Sequence, residues 1–447
     1  MSFLRYMGED PDVRQPAWRL YARVDQVETT AEDAPSPFAG DDVVLLDSVG
    51  ADWFDETRRG GGRPLADAET VDEADQNISV VEMRRTDLHE ALGAPSTPED
   101  SWIELKLETG REPTVLHYPN LFAAPLTRSL ASASWAAPPL NKELAEKTSM
   151  DDVDEATDDQ LRDLLTRGEP DAVAVYDVGQ GNCNAALNHH APVLYFDLGG
   201  GVLANRKTFP TALTDFCFTY HPTIVLSHWD WDHWSSANRD LRAYNQPWIV
   251  PQQGVTGIGA VHRTFLARLL QNRTVLAWPS GRTSFPSGPY EIFKCTGPAG
   301  SRNDSGLALV VERTTNGETQ RILLPGDCAY RHVPHASTRT FTSIVAAHHG
   351  GRTSGNVMPQ PDGSPSGRVV YSYGRDNQWG HPFDSVRNDY TDAHWYPALE
   401  TSSRCPPRSA ALPPNVLGHV HLHWEEDDPD VVPGCGGGQC QLGCHQR

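Results

Sequence analysis

The segment Ser227-His228-Trp229-Asp230-Trp231-Asp232-His233-Trp234 decides the architecture that this sequence predicts. It places two histidines and two carboxylates within six positions, directly after the apolar run Thr223 to Leu226, which has the length of a buried strand. Such side chains crowd together at a strand end only where a cation offsets the desolvation of their charges. A solvated acidic turn is the alternative, and the pattern favours a metal site.

Other polar motifs also lie where apolar runs end. Because polar or Gly-rich turns follow most of these runs, a layered fold would bring the turns to one edge of its sheets. The apolar runs are Ala172 to Tyr176, Val193 to Phe196, Thr223 to Leu226, Leu307 to Val311, Ile322 to Leu324, Ile344 to Ala347 and Val369 to Tyr373. The segment Val261 to Leu270 has helical spacing, and Asn238 to Tyr244 could also be helical.

These motifs together resemble a known superfamily. The pattern H-x-D-x-D-H at 228–233 is a variant of the H-x-H-x-D-H signature of the metallo-β-lactamase superfamily. D-V-G-Q-G at 177–181, H-H-G at 348–350 and G-x-x-N-x-x-G-H-P at 374–382 are most similar to the soluble nuclease-like domain of ComEC-type competence proteins. The resemblance covers about residues 171–390 and implies an α/β fold, a four-layer αβ/βα sandwich, in which Asp197 supports the metal loop.

The resemblance also implies a pair of divalent metal ions, Zn²⁺ or Mn²⁺. The expected ligands are His228 and Asp230 for the first ion, Asp232 and His233 for the second, Asp327 between both, and one of His348 and His349 on the second ion. Only one histidine of that pair is expected to face the ions, because adjacent residues of an extended chain point apart.

The ligands expected for the first ion depart from the family pattern. Asp230 stands where most members carry histidine, and its hard oxygen favours Mn²⁺ or Mg²⁺ as competitors of Zn²⁺. His262 is the only further histidine at the place where many members have another ligand. Because it lies inside a predicted helix, we interpret it as a surface histidine, which leaves the first ion with fewer protein ligands.

The implied chemistry is hydrolysis by a hydroxide that is activated between two ions about 3.5 to 4 Å apart. With Asp232, His381 is the candidate catalytic residue, either as general acid or as a contact to a scissile phosphate; a metal ligand and a structural Gly-His-Pro turn are the alternatives. Candidate substrate-binding residues offer donors suited to phosphate, although a plain turn also explains the first two. They are Asn303, Ser305, Arg352, Ser354, Arg375 and Asn377.

Charge and composition divide the chain of 447 residues. The net charge is −22, but residues 1–170 carry 16 Lys+Arg against 36 Asp+Glu, while residues 171–447 carry 21 against 23. A nearly neutral second half does not exclude a polyanionic substrate. We expect an acidic, β-rich accessory domain at 1–125, an acidic linker with a helix over Met150 to Arg167 at 126–170, a catalytic domain at 171–400 and a His- and Cys-containing tail at 401–447.

The accessory domain should contain strands at Trp18 to Val27, Asp42 to Val49, Ile78 to Met83, Trp102 to Leu107 and Pro113 to His117. Its acidic surface could bind a protein partner, cover the active site or only solubilise the chain. The chain has neither a signal-like start nor a membrane-length apolar stretch, which predicts a cytoplasmic protein that does not associate with a membrane.

Eight cysteines divide into two groups. Cys183, Cys217, Cys295 and Cys328 are expected to be buried thiols. A second, structural zinc site is conceivable in the tail, although the spacing fits no standard zinc knuckle and the Gly-rich end could simply be mobile. Its candidate ligands are Cys405, Cys435, Cys440 and Cys444, near His419, His421 and His423.

Three classes of function are compatible with the sequence. The leading one is a metal-dependent phosphodiesterase, a nuclease acting on DNA or RNA. The second is hydrolysis of a small lactone, thioester or cyclic nucleotide, and the third is a partner-regulated component of a larger assembly. Four tryptophans near the motifs either stack on bases or pack as core: Trp229, Trp231, Trp234 and Trp379.

Overall fold

The structure is a computed structural model. It describes residues 18–34, 36–62, 64–65, 71–96, 101–110, 114–166, 168–254, 257–355, 357–364, 367–402 and 418–424. The predicted tail cysteines, and with them most of the proposed structural zinc site, lie outside these residues.

The N-terminal region forms a closed β-barrel, in the strand order β1-β2-β3-β5-β6-β4. Alternating apolar residues such as Leu20, Ala22 and Val24 fill its interior. The strands are β1 (Trp18–Thr29), β2 (Asp42–Gly50), β3 (Ile78–Arg84), β4 (Trp102–Glu108), β5 (Val115–Tyr118) and β6 (Leu126–Trp135).

The last barrel strand corrects the predicted domain boundary at 125. β6 pairs with both β4 and β5, so the barrel extends to Trp135 and the linker predicted to start at 126 is shorter. The composition of β6 hides it, because its small and polar residues are half-buried or exposed and lack an apolar alternation. The helices of this region are α1 (Ala51–Arg59), α2 (Val71–Asn77), α3 (Arg85–Leu92), α4 (Pro138–Lys147) and α5 (Asp158–Leu165).

Helix α5 occupies the second half of the helix that was predicted over Met150 to Arg167. Its N-cap is Thr157, whose side chain accepts a hydrogen bond from the Gln160 amide in a capping box. Leu161 and Leu165 of its apolar stripe are buried in the core of the domain that follows.

Two seven-stranded sheets form the centre of the region that follows the barrel. The first has the order β12-β11-β10-β9-β8-β7-β22 and the second β13-β14-β15-β16-β18-β20-β21. The strands of the first sheet are β7 (Ala172–Val175), β8 (Cys183–Asn188), β9 (Ala191–Leu198), β10 (Thr223–Val225), β11 (Trp248–Val250), β12 (Val275–Ala277) and β22 (Val420–His423). Those of the second are β13 (Ser284–Ser287), β14 (Tyr290–Lys294), β15 (Leu307–Thr315), β16 (Glu318–Leu324), β18 (Ser343–Val345), β20 (Arg368–Tyr371) and β21 (Ala398–Glu400), and β17 (Thr340–Phe341) pairs separately with β19 (Gln360–Pro361).

The two sheets pack face to face with helices outside them. Phe196 and Val225 of the first sheet share one buried cluster with Leu309 and Val345 of the second. The short helix α6 (Trp231–Trp234) follows β10. Helix α7 (Ala260–Gln271) covers the outer face of the first sheet, and α8 (Asp384–Asp392) covers that of the second. The predicted four-layer αβ/βα sandwich with an N-terminal β-rich domain is therefore confirmed.

Local predictions in this region have mixed outcomes. Helix α7 matches the predicted Val261 to Leu270, whereas Asn238 to Tyr244 forms short 3-10 turns rather than an α-helix. The four cysteines expected to be buried thiols are buried and free. No helix among the described residues has the length and apolarity needed to cross a membrane.

The predicted C-terminal tail contributes a strand to the fold. β22 pairs antiparallel with β7 at the edge of the first sheet, so residues around Val420 belong to the sandwich. His421 and His423 lie two positions apart on β22, and their ring centroids are 5.9 Å apart. The structural zinc site stays a prediction.

The buried carboxyl group of Glu82 in the barrel should make the stability of the protein depend on pH. Burial raises the pKa of Glu82 to about 7, although the Tyr118 hydroxyl donates to it at 2.8 Å. Since the folded chain then holds a proton that the unfolded chain releases near pH 4.5, stability should fall as the pH rises from about 5 to 8. Glu82→Gln should flatten this profile and raise the free energy of unfolding at pH 8 by about 1 to 3 kcal/mol.

Urea unfolding at pH 5 and pH 8 measures this effect. The matched control is Glu104→Gln, which removes a partly exposed barrel carboxylate that pairs with Arg19. A Glu82→Gln variant that keeps the pH dependence of the wild type would contradict the assignment.

Candidate metal centre

The candidate ligands converge because they follow parallel strands of the two sheets. The segment 227–234 follows β10, Asp327 follows β16, and the His348-His349 pair follows β18. Strand β10 is parallel to β9, and β16 is parallel to β18, so the carboxyl ends of neighbouring strands meet at one edge of the sandwich.

Asp327 lies at the centre of this cluster and divides its histidines into two pairs. Its Oδ1 is 3.2 Å from His233 Nε2 and 3.6 Å from His349 Nε2. Its Oδ2 is 3.9 Å from His228 Nε2 and 3.7 Å from His348 Nε2. We call the side of Oδ2 the first half-site and the side of Oδ1 the second half-site.

Each half-site contains one further carboxylate. Asp232 Oδ2 is 3.4 Å from His349 Nε2 in the second half-site. Asp230 Oδ2 is 3.2 Å from His228 Nε2 in the first. These contacts match the predicted assignment of Asp230 to one ion and Asp232 to the other, while the roles as ligands stay predictions.

The donor atoms at this point fit a divalent cation. His228 Nε2, His233 Nε2, His349 Nε2 and Asp327 Oδ1 are buried and have no hydrogen-bond partner among the described residues. Leaving such atoms unpaired costs on the order of 1 to 3 kcal/mol each unless something binds them. Imidazole nitrogens and carboxylate oxygens are the ligands of Zn²⁺ and Mn²⁺, so the residues present fit the metal ions that the sequence implies.

Electrostatics in the cluster are those of an ion-pair network. Burial alone would raise the pKa of Asp327, but the neighbouring His233, His349 and His348 hold this pKa well below its usual range. Burial would likewise lower the pKa of His233, but Asp327 and Asp197 raise it well above its usual value. The cluster therefore stabilises ionised carboxylates.

Asp197 orients the histidine of the second half-site. Its Oδ1 accepts a hydrogen bond from the Ser227 amide at 2.6 Å, and its Oδ2 accepts one from Ser227 Oγ at 2.8 Å. The same Oδ2 lies 2.9 Å from His233 Nδ1, which directs the opposite ring nitrogen towards Asp327. Asp197 thus supports the metal loop, as the motif predicts.

The expectation that only one histidine of the His348-His349 pair faces the site is wrong. Both approach Asp327, because the segment is not extended: His348 has φ 51° and ψ 42°, and His349 has φ 55° and ψ 18°. Two successive left-handed residues break the alternation of a strand. The hydroxyls of Tyr330 and Tyr390 both accept hydrogen bonds from the Ala347 amide, which fixes the start of this turn.

The interpretation of His262 as a surface histidine is also wrong. Its ring is fully buried where α7 packs against the barrel, and its Nε2 is 3.0 Å from Asp25 Oδ1. Trp234 Nε1 donates a hydrogen bond to His262 Nδ1 at 3.0 Å. Both ring nitrogens are therefore engaged away from Asp327.

Sequence reasoning missed a buried arginine beside the first half-site. Arg302 Nη1 is 3.7 Å from Asp230 Oδ1 and forms a close ion pair with Asp25 of β1. Although burial opposes ionisation, His228 and Arg302 lower the pKa of Asp230. The one available signal was that Arg302 precedes Asn303, a predicted substrate-binding residue.

The predicted catalytic histidine lies at the rim of the first half-site. His381 is buried with its ring centroid 5.1 Å from that of His348, and its Nδ1 lacks a hydrogen-bond partner among the described residues. Burial and the adjacent His348 and His349 hold the pKa of His381 well below its usual range.

The predicted substrate-binding residues are in different environments. Asn377 holds the turn before His381, since its Oδ1 accepts hydrogen bonds from the Trp379 and His381 amides and its Nδ2 donates to the Gly374 and His381 carbonyls. Ser305 Oγ accepts a hydrogen bond from Gln253 Nε2 at 2.9 Å. The other four are partly or fully exposed: Asn303, Arg352, Ser354 and Arg375.

The barrel covers the metal centre. The Ala31 amide donates to the Gln378 carbonyl at 2.7 Å, and Glu28 Oε1 is 3.7 Å from His348 Nε2. A pocket of about 450 Å³ remains between the end of β1 and residues 299–303, and Asp230, Arg302 and Asn303 are among its lining residues. The four tryptophans near the motifs are buried, which supports their interpretation as core residues.

Comparisons with known proteins give structural likenesses only. No protein-family model matches the chain, and no curated protein matches it. Matching solved structures include Zn²⁺-bound PqqB from Methylobacterium extorquens, at 10% identity and a TM-score of 0.30 over 51% of this chain and 97% of that one. MEM-A1, a subclass B3 metallo-β-lactamase from a soil metagenome library, matches at 12% identity and a TM-score of 0.24 over 41% and 83%.

CmlA, a diiron β-hydroxylase from Streptomyces venezuelae, matches at 15% identity and a TM-score of 0.26 over 61% of this chain and 50% of that one. At these identities and TM-scores the likeness carries no conclusion about activity. The similarity to ComEC-type nuclease domains stays a prediction.

The division of the His348-His349 pair between the half-sites leads to a metal-binding prediction. His348→Ala and His349→Ala should each reduce the metal content by about one ion per chain, because each ring faces a different oxygen of Asp327. Mass spectrometry of metals after dialysis measures this content. The control His335→Ala replaces a histidine that packs on Phe293, outside the cluster. Unchanged metal content in either cluster variant would exclude that histidine as a ligand.

Proposed function

We propose that this chain is a metal-dependent hydrolase with a dinuclear centre. The observation that carries the proposal is the position of Asp327, whose two carboxylate oxygens each approach two histidines inside a buried cluster. When bound, two divalent ions would lower the pKa of a shared water and stabilise negative charge that develops on the substrate. Ion ligands would be His228, Asp230 and His348 in the first half-site, His233, Asp232 and His349 in the second, and Asp327 in both.

The bond that we propose for cleavage is a phosphodiester in a substrate of nucleotide size. Arg352 and Arg375 expose guanidinium groups on the loops that flank His381, and such groups bind phosphate oxygens well. A pocket of about 450 Å³ has the size of a small-molecule site. The barrel above the centre favours a cyclic nucleotide or a single-stranded DNA or RNA end over a continuous duplex.

His381 is the residue that we expect to act on the leaving group. Its Nδ1 is buried and has no hydrogen-bond partner among the described residues, so this atom can donate a hydrogen bond to a substrate oxygen. A phosphate beside the ring would raise the pKa of His381, which burial and the two neighbouring histidines lower, and would so allow the ring to carry the proton that the leaving group needs. A Cβ atom at position 351 would lie 2.8 Å from His381 Nε2, so Gly351 allows the ring to pack close to the backbone.

A second candidate function is hydrolysis of a small carboxylic ester, such as a lactone or a thioester. The observation that favours it is the acidity of the pocket, in which Glu28 and Asp230 are close to the centre. Carboxylates at this place would repel the additional phosphates of a long polyanion.

Metal-exchange assays distinguish these candidates. Chelator-treated protein should be inactive, and Mn²⁺ should restore at least as much activity as Zn²⁺, because Asp230 adds a hard oxygen to the first half-site. The substrates are cyclic nucleotides, a nitrophenyl phosphodiester, single- and double-stranded DNA and RNA, a lactone and a thioester. Hydrolysis of phosphodiesters alone supports the first candidate, and hydrolysis of the carboxylic esters alone supports the second. A zinc-loaded protein that exceeds the manganese-loaded one would contradict the role of Asp230.

The role of His381 can be tested with leaving groups of different basicity. His381→Ala should keep its metal content and lose roughly 10²- to 10⁴-fold in kcat on a nucleotide substrate, the scale of a lost general acid. A nitrophenyl phosphodiester should lose far less, because nitrophenolate leaves without a proton. Loss of metal together with both activities would make His381 a ligand, and unchanged turnover would leave Gly380-His381-Pro382 as a structural turn.

A further inference from the structure

A β-bulge in the barrel turns acidic residues of β1 towards the metal centre. Before the bulge, alternate residues of β1 such as Ala22 and Val24 face the barrel interior. The pairing with β2 then shifts between Val24 and Gln26, so Asp25 is an extra residue in the ladder. One inserted residue reverses the alternation of the strand, and Gln26 and Glu28 are among the residues that line the pocket between β1 and residues 299–303.

Asp25, at the bulge, and Glu28, after it, differ in the charged groups that surround them. Asp25 forms an ion pair with Arg302 and also contacts His262. Within the described part of the chain, the polar partners of Glu28 are Gln26 Nε2 at 3.2 Å and His348 Nε2 at 3.7 Å, and neither carries a permanent positive charge. Burial raises the pKa of Glu28, although His348 opposes this shift.

Glu28 lies on the side of the first half-site. His348 Nε2 is 3.7 Å from Glu28 Oε1 and also 3.7 Å from Asp327 Oδ2. Two ligand atoms of one ion, each about 2.0 to 2.2 Å from it, lie about 3 to 3.6 Å apart, so these separations are close to those of a coordination shell. His262, the candidate for a further ligand of the first ion, is engaged by Asp25 instead.

We infer that Glu28 of the N-terminal barrel is an additional metal ligand of the first half-site. This inference rests on the proposed metal-dependent function and adds a ligand from outside the sandwich. The first ion would then have carboxylate oxygens from Glu28, Asp230 and Asp327 beside imidazole nitrogens. Such an oxygen-rich half-site selects a harder cation than the second half-site does. The barrel would thereby be a constituent of the catalytic centre.

Metal titration of a charge-removing variant tests this inference without an activity assay. Glu28→Gln keeps the size and the hydrogen-bonding capacity of the side chain but removes the anionic ligand. We expect the full-length wild type to bind two Mn²⁺ ions per chain. The variant should retain one ion and bind the other at least about tenfold more weakly, as measured by calorimetry and by metal analysis after dialysis. Thermal unfolding of the metal-free proteins verifies that the variant is folded.

The matched control is Glu104→Gln, which changes a barrel carboxylate on the neighbouring strand that pairs with Arg19. It should bind Mn²⁺ like the wild type. If the wild type and Glu28→Gln bind the same number of ions, whether one or two per chain, with the same affinity, Glu28 is not a ligand. That result would leave the proposed function standing. A wild type that binds no ion would overturn the proposed function itself. If Glu28→Gln does not fold, Glu28→Asp provides the test, since withdrawing the carboxylate by one methylene should weaken only the first ion.

Discussion

The burial of several carboxylates and imidazoles around Asp327 is the constraint on which the rest of this structure depends. Ionised groups removed from water are tolerated only when opposite charges or metal ions compensate them. The chain meets this condition by ending parallel strands of both sheets at one edge, where His228, Asp327 and His349 meet. Asp197 fixes one imidazole from behind, and Tyr330 and Tyr390 fix the turn that carries two others. The packing of the two sheets therefore determines where these carboxylates and imidazoles meet.

Hydrogen bonds and ion pairs connect the N-terminal barrel to this cluster. Asp47 of β2 accepts hydrogen bonds from the Ala260 and Val261 amides at the start of α7, which anchors the barrel to a helix of the sandwich. Arg302 connects Asp25 of the barrel with Asp230 of the metal loop. These contacts show that part of the barrel's negative charge is paired with residues beside the candidate metal centre. A pocket of about 450 Å³ remains between the barrel and residues 299–303.

The sequence predicts the layered fold and the residues that gather at its edge, because apolar runs of strand length mark where each motif must lie. His228, Asp232, His233 and Asp327 could be found in this way. The double approach of His348 and His349 could not, since it depends on two left-handed residues that no local pattern announces. The ion pair between Asp25 and Arg302 spans 277 positions, and the bulge that precedes Glu28 depends on pairing between strands. Long-range contacts of this kind leave no periodic signal in the chain.

The most direct test of the account is an anomalous-diffraction measurement on crystals of the full-length protein equilibrated with Mn²⁺. The account predicts two anomalous peaks that flank the carboxylate of Asp327, one beside His228 and His348 and one beside His233 and His349. An Asp327→Asn crystal treated in the same way is the control and should lose or weaken both peaks. Crystals of the wild type with no peak beside Asp327 at saturating Mn²⁺ would contradict the central claim.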